Sequence, residues 1–404
     1  MARNVRSVAR TLLLAATAGG LAYTALALLR VRRYRRRAAD PPPKASPPIT
    51  VFKPLYGDEP FLYENLRSFC DQVYPKFQIV FCAADCSDPA LRTALRLQRE
   101  FPDREIDVVC GQARDEPNPK IANVLAAYHR ARHGLIVVAD SDIRVPREYL
   151  QSIAAAFENE GTGAVTCLYG SEPGTDLVSK LGAMYVNEGF APSVLVAGML
   201  EPLRYCFGAT MAVRRGVLER IGGFAALAGR IGDDYELGQA VSRAGYSVRL
   251  ASCLVHTAIT ERRLPELWNR ELRWARTILA QRPAGFAGSV VTHVLPLAIA
   301  YAVVARTGRA AALLCAAAAL RVCLHYEARA AFAPQSRPEP LLIPLRDVMS
   351  LAQWCASAFG RTVRWRSRAL LIQAGGRVSA NCNDSVTGWA ESPKTNEAPA
   401  SERR

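Results

Sequence analysis

"LIVVADSDIRVP", residues 135–146, is the stretch whose reading decides the fold. Leu135 to Val138 form an apolar run too short for a helix, and such a run reads as a strand buried on both faces. It ends in Asp140, Ser141 and Asp142. Two carboxylates one residue apart repel each other and are each harder to ionise, so the placement calls for a cation. Side chains at i and i+2 share a face where a strand continues, which lets both acids approach one ion. A hard cation that prefers oxygen donors, Mg²⁺ or Mn²⁺, suits them. Mg²⁺ takes one or two carboxylates and fills its remaining positions with water and phosphate oxygens, so the pair points to a nucleotide diphosphate. Acids at this spacing also arise by chance, and the strand context gives them weight.

Working outward, apolar runs alternate with helical segments. Strand "ITVFKP" (49–54) precedes a helix around 59–70; strand "QIVFCAA" (78–84) precedes a helix at 89–101; strand "IDVVC" (106–110) precedes a helix at 120–132. Continuous apolar strands separated by helices imply a parallel sheet covered on both faces, an α/β doubly wound domain. Such sheets bind ligands beyond the carboxyl ends of their strands. Lys53, Asp85, Asp140 and Asp142 all fall there, and their convergence on one edge outweighs the surface tendency of any one of them.

The flanks differ from this core. Residues 11–29 carry no charge and approach the roughly 20 residues a spanning helix needs. The run lacks a clear small-residue cleavage site, which favours a retained anchor over a signal peptide. Three arginines precede it and six follow within 30–37. The positive-inside bias then places the N-terminus outside and the rest on the cytoplasmic side. "DPPPKASPP" (40–48) reads as a stiff linker. Residues 286–305 and 310–324 suggest a helical hairpin turning at "RTGR", with Arg321 in the short second arm allowing a buried or interfacial helix instead. "LLIPLRDVMSLAQWCASAF" (341–359), broken by Pro344, Arg346 and Asp347, reads as interfacial or re-entrant. The resulting division is an anchor with basic flank (1–38), a linker (39–48), a catalytic domain (49–262), an interfacial helix (263–283), C-terminal membrane helices (284–370) and a disordered tail (371–404).

The 404 residues are 50% hydrophobic with a net charge of +15, so nucleic-acid binding must be weighed. The arginines crowd beside apolar runs, which suits anionic headgroups better than a groove-reading surface, and no nucleic-acid partner is expected. Eleven cysteines without a CxxC pair argue for a reducing compartment and for thiols that serve as small buried hydrophobes.

A second acidic cluster, "IGDDYELGQAVSRAGY", puts Asp233 and Asp234 at the start of a helix, where the dipole favours acids in any case. Displacement at a sugar carbon needs one carboxylate to take the acceptor hydroxyl's proton, and Asp234 is the candidate base. In "LWNRELRWARTILAQ", helical spacing puts Arg270, Arg273 and Trp274 on one face. Guanidinium groups there can grip pyrophosphate and the indole can stack on a sugar. A basic amphipathic helix lying on lipid would show the same pattern.

Taken in order, "KPLYGDEP" (53–60), "AADCSDPA" (83–90), "NPKIANV" (118–124), "ADSD" (139–142), "CFGATMAVRR" (206–215), "GDDY" (232–235) and "RELRW" (270–274) resemble the ceramide glucosyltransferase-like inverting glycosyltransferases over roughly residues 48–370. Within them, "LYENLRSFC", "VTCLYG", "LGAMYVNE" and "RPAGFAGS" most resemble the bacterial hopanoid-biosynthesis branch, whereas "NPKI" is closer to the ceramide enzymes. The resemblance implies a GT-A, Rossmann-like nucleotide-diphospho-sugar transferase fold with transmembrane or interfacial helices at both ends. It also implies a UDP-sugar donor, most readily UDP-N-acetylglucosamine, and a lipid acceptor, a hopanoid polyol such as bacteriohopanetetrol or else ceramide, at the bacterial inner membrane. Asp85 would contact uridine, and Asp140 and Asp142 would hold the diphosphate, ribose and metal. Asp234 would be the base, Arg270, Arg273 and Trp274 would line the donor and acceptor site, and Lys53 and Lys120 would sit near the nucleotide. A processive polysaccharide synthase needs more membrane helices than the two to four expected here. A non-catalytic UDP-sugar-binding scaffold would have no use for metal acids and a base.

Overall fold

The computed structural model describes residues 2–37, 42–111, 116–365 and 368–380. Helix α1 (Ala2–Arg35) leads to β1 (Ile49–Pro54), α2 (Leu62–Cys70), β2 (Phe77–Ala83), α3 (Ala90–Glu100), β3 (Glu105–Cys110), α4 (Pro119–Ala127) and β4 (Leu135–Val138). The chain continues through β5 (Ile143–Arg144), α5 (Tyr149–Ala156), β6 (Thr162–Gly170), α6 (Leu177–Met184), a π-helical stretch (Tyr185–Phe190) and α7 (Ala191–Leu200). Then come β7 (Met211–Arg214), α8 (Arg215–Arg220), α9 (Asp233–Arg243), β8 (Ser247–Thr257) and α10 (Leu264–Gln281). The last elements are α11 (Pro283–Gly288), α12 (Val294–Ala305), α13 (Gly308–Phe332), α14 (Ile343–Ser357), β9 (Thr362–Trp365), β10 (Arg368–Ile372) and β11 (Val378–Ala380).

Eight strands form one sheet in the order β3-β2-β1-β4-β7-β6-β8-β5. Neighbouring residues on β1 and β4 serve opposite faces. Val51 and Val137 join a core with Phe69, Leu66 and Ile153, while Phe52, Ile136 and Val138 join another with Ile121 and Phe224. Both faces are covered, as the unbroken apolar runs require. The all-parallel expectation holds for β3, β2, β1 and β4, and β6 and β8 run the same way and pair in parallel; it fails at β7 and β5. β7 runs antiparallel to β4 and to β6, and β5 runs antiparallel to β8. "MAVR" is apolar whichever way it runs, and the return of the chain through α6 and α7 sets its direction.

α1 and α13 are long and apolar enough to cross a membrane; α11 and α12, bent by 67° at their junction, would make a third span if they count as one. α13 spans 25 residues, more than the 310–324 read from sequence, running on past Arg321 to Phe332. Arg321 is buried and pairs with Glu188 at 3.0 Å and Asp347 at 2.7 Å. Residues 343–357 form the single helix α14, whose charged face is turned inward and whose Leu345 and Val348 face out.

Two expectations are corrected. The tail was expected to be disordered from residue 371, yet Leu370 to Ile372 pair with residues 378–380, and Ile231 N–H donates to the Gly376 carbonyl at 3.1 Å. Backbone pairing supplies order that the composition does not suggest; residues 381–404 lie outside the described residues. The thiols were expected to be unpaired and buried, but Cys86 and Cys110 form a disulfide, and Cys315, Cys323 and Cys355 are exposed. The partners close across the ends of β2 and β3, adjacent strands whose pairing no Cys spacing reveals.

Candidate active site

The loop after β4 brings Asp140 and Asp142 to the rim of a cavity of about 1310 Å³. Three further elements converge on the same rim. α4 begins with Asn118 as its cap, the side chain accepting from Lys120 N–H at 3.0 Å and Ile121 N–H at 3.2 Å. Pro119 then holds the first turn in helical geometry. This start aims the Lys120 ammonium at Asp140 Oδ1 (2.7 Å), Asp233 Oδ2 (3.5 Å) and the Gly208 carbonyl (3.2 Å). Burial acts to lower the Lys120 pKa, but Asp140 and Asp233 together raise it above the ordinary lysine value, so it stays charged.

Asp234 opens α9, accepting from Tyr235 N–H at 2.7 Å through one oxygen and from Gly208 N–H at 2.9 Å through the other. Burial first, and then Asp233, lift its carboxyl to about 6. A base with this value is mostly ionised at neutral pH and still able to accept a proton. Gly208 is where the acids meet. A Cβ there would stand 3.0 Å from Asp140 Oδ2, 3.5 Å from Lys120 Nζ and 3.7 Å from Asp234 Oδ2.

Asp142 is hydrogen-bonded by Thr257 at 3.1 Å, and burial, Asp140 and Glu59 push it up to about 7. Glu59 in turn accepts from the Ser141 hydroxyl at 2.5 Å. Three carboxylates therefore crowd one rim, where the Lys120 ammonium pairs with Asp140. This hard-oxygen set fits a divalent cation held by Asp140 and Asp142, with the remaining positions left to ligand oxygens. Among the described residues no cluster of three or more His, Cys, Asp or Glu forms a complete protein cage.

From the opposite wall α10 presents Arg270, Arg273 and Trp274 to the cavity. Arg270 pairs with Glu261 at 2.7 Å and lies 4.9 Å from the Trp274 ring centroid; that ring stands 5.7 Å from Tyr185. Arg273 is pulled below the ordinary guanidinium value by burial and by Arg270, while Asp140, Glu261 and Asp234 act in the other direction.

The structure thus gathers Lys120, Asp140, Asp142, Asp234, Arg270, Arg273 and Trp274 around one cavity. Two expected residues stand apart from it. Lys53 is fully buried, donating to the Asp140 carbonyl and lying 3.7 Å from the Phe69 ring centroid; burial drives its ammonium down to about 7. It supports the Asp140 loop from below. Asp85 is exposed on the loop after β2, its carboxylate taken by Ser87 N–H at 2.8 Å, and is not among the cavity's lining residues. Glu59, Gly208 and Glu261 went unread as site residues and Asp233 was read only as a helix start; "GDEP", "CFGATM" and "GDDY" hold three of the four, but their partners are distant in sequence.

A mixed, mostly parallel sheet with carboxylates at its carboxyl rim and an arginine-bearing helix lining the cavity defines the GT-A class of nucleotide-sugar transferase. The chain belongs to glycosyl transferase family 21, whose pattern matches residues 12–378. It is similar to ceramide glucosyltransferase 3 of Caenorhabditis elegans, 24% identical over 238 residues that cover 59% of this chain and 52% of that one. It also resembles the ceramide glucosyltransferase of Pyricularia oryzae, 31% identical over 137 residues covering 28% of each chain. The chain spans about half the length of the Caenorhabditis relatives it matches. Among solved structures, the mannosyltransferase PcManGT of Pyrobaculum calidifontis, in complex with GDP-Man and Mn²⁺, shares the fold. Its TM-score is 0.54 at 21% identity, covering 87% of this chain and 99% of that one.

Proposed function

We propose that the protein is an inverting glycosyltransferase of the bacterial inner membrane that moves a sugar from a UDP-sugar to a lipid hydroxyl on the cytoplasmic side. The carrying observation is that Asp140, Lys120 and Asp234 converge on Gly208 in the wall of a cavity that Tyr23, Val194, Leu200, Phe286 and Val291 also line. A diphosphate against the acids and an apolar acceptor against those side chains would bring a hydroxyl to Asp234. Asp234 takes the hydroxyl proton as the acceptor oxygen bonds to the anomeric carbon, whose bond to the diphosphate oxygen breaks on the opposite face. One base without a second nucleophile gives a single displacement and inverted stereochemistry. Lys120 and Arg273 stabilise charge on the departing UDP. A Mg²⁺ or Mn²⁺ ion held by Asp140 and Asp142 would supply Lewis-acid stabilisation of the same leaving group.

The motifs favour N-acetylglucosamine as the sugar and a hopanoid polyol such as bacteriohopanetetrol as the acceptor. The named relatives and "NPKI" favour a second reading, glucose to ceramide. Full-length protein in lipid nanodiscs, offered UDP-N-acetylglucosamine and UDP-glucose against bacteriohopanetetrol and ceramide, with products weighed by mass spectrometry, separates the two. Release of UDP without a glycolipid from any pairing would overturn lipid glycosylation itself.

A further inference from the structure

Arg346 of α14 carries a side chain that is 2% exposed, and each nitrogen of its guanidinium has a hydrogen-bond partner. Nε donates to Ser350 Oγ (3.1 Å), Nη1 to the Leu181 carbonyl (3.2 Å) and Glu271 Oε1 (3.1 Å), and Nη2 to Gln353 Oε1 (3.0 Å), while Glu271 Oε2 stands 3.0 Å from Nη2 as an ion pair. Gln353 donates to Glu271 Oε2 as well, at 2.8 Å. The guanidinium also stands 5.4 Å from the centroid of Tyr185, the ring beside Trp274. Glu271 is the second residue of "RELRW", on the same turn as Arg270, Arg273 and Trp274.

A buried ion pair contributes little net stability, because desolvation offsets its attraction, whereas its bidentate geometry fixes direction. What this pair fixes is the rotation of α10. A turn of about 10° moves a side chain about 6 Å from the helix axis by about 1 Å. A misplacement of about 1 Å near the reacting groups costs up to about 100-fold in rate. We propose that Arg346 is a positioning residue for sugar transfer: through Glu271 and Tyr185 it sets where Arg270, Arg273 and Trp274 stand against the donor. The inference rests on the transfer reading above and adds a residue on α14 that touches no substrate.

The test uses the full chain in nanodiscs. Arg346→Lys keeps the charge and loses the fork; kcat/KM for the UDP-sugar is expected to fall at least tenfold, mostly through KM, with Tm little changed. The double variant Arg346→Met, Glu271→Leu replaces the pair with apolar side chains of similar volume and guards against simple unfolding. It is expected to keep its Tm and still lose at least tenfold. On an Arg273→Ala background, Arg346→Lys is expected to cost less than twofold more. Wild-type kinetics in the folded double variant, or losses that multiply in full on that background, would overturn the positioning role. If the wild-type protein releases no UDP in the presence of lipid, the transfer reading fails. UDP binding by calorimetry then decides the inference alone, with tenfold weaker binding expected for Arg346→Lys and unchanged binding counting against it.

Discussion

Asp234 and Gly208 show how a single position carries chemistry at this rim. Burial and Asp233 lift the Asp234 carboxyl to about 6, and it must be ionised to accept the hydroxyl proton. kcat/KM is therefore expected to be level at higher pH and to fall tenfold per unit as pH drops below about 6. Asp234→Asn should cost about 10²- to 10⁴-fold in turnover and keep UDP-sugar binding. A pH–rate profile and calorimetry on that variant check both statements, and normal turnover would place the base elsewhere. At Gly208 an added Cβ would press on Asp140 Oδ2 at 3.0 Å. Gly208→Ala is expected to weaken donor binding about tenfold with Tm unchanged, read by titration and thermal melting. The acids themselves were legible in the sequence because each ends or begins a recognisable element. Their shared neighbour was not, since a glycine announces no partner.

At the scale of elements, the helices on the membrane side are organised by buried charge. Arg321 ties α13 to Asp347 of α14 and to Glu188 in the π-helical stretch, and His325 Nδ1 shares Glu188 at 2.8 Å. Arg321→Met would leave carboxylates buried without their counter-charge and should cost about 3–5 kcal/mol of stability. Chemical denaturation in detergent measures it, and a loss under about 1 kcal/mol would show that the pairs contribute little. From sequence, Arg321, Arg346 and Asp347 read as interruptions, because a charge in an apolar run is costly until its partner is known. The strands of the half-sheet β1 to β4 needed no such knowledge. Their apolar runs alone set them inside the sheet, whereas the reversed β7 depended on the path of α6 and α7.

Across the whole molecule, α1 is more than a tether. Tyr23 lines the cavity, and Ala27 and Val31 pack with Val194, Leu195 and Phe332 of α7 and α13. A chain lacking residues 1–37 is expected to lose at least tenfold in lipid-dependent transfer even in detergent, where a simple anchor would be dispensable. Full activity of the solubilised truncated chain would refute that. By itself the sequence determined the α/β class, the apolar ends and the acids and arginines of the site, since hydrophobic period, length and residue chemistry are local properties. Only the tertiary structure decided that Lys53 is buried behind Asp140, that Asp85 stands off the cavity wall, that Cys86 meets Cys110 and that Arg321 of α13 and the charges of α14 turn inward. Those outcomes depend on which distant groups share a dry interior, and desolvation is a property of the folded surroundings.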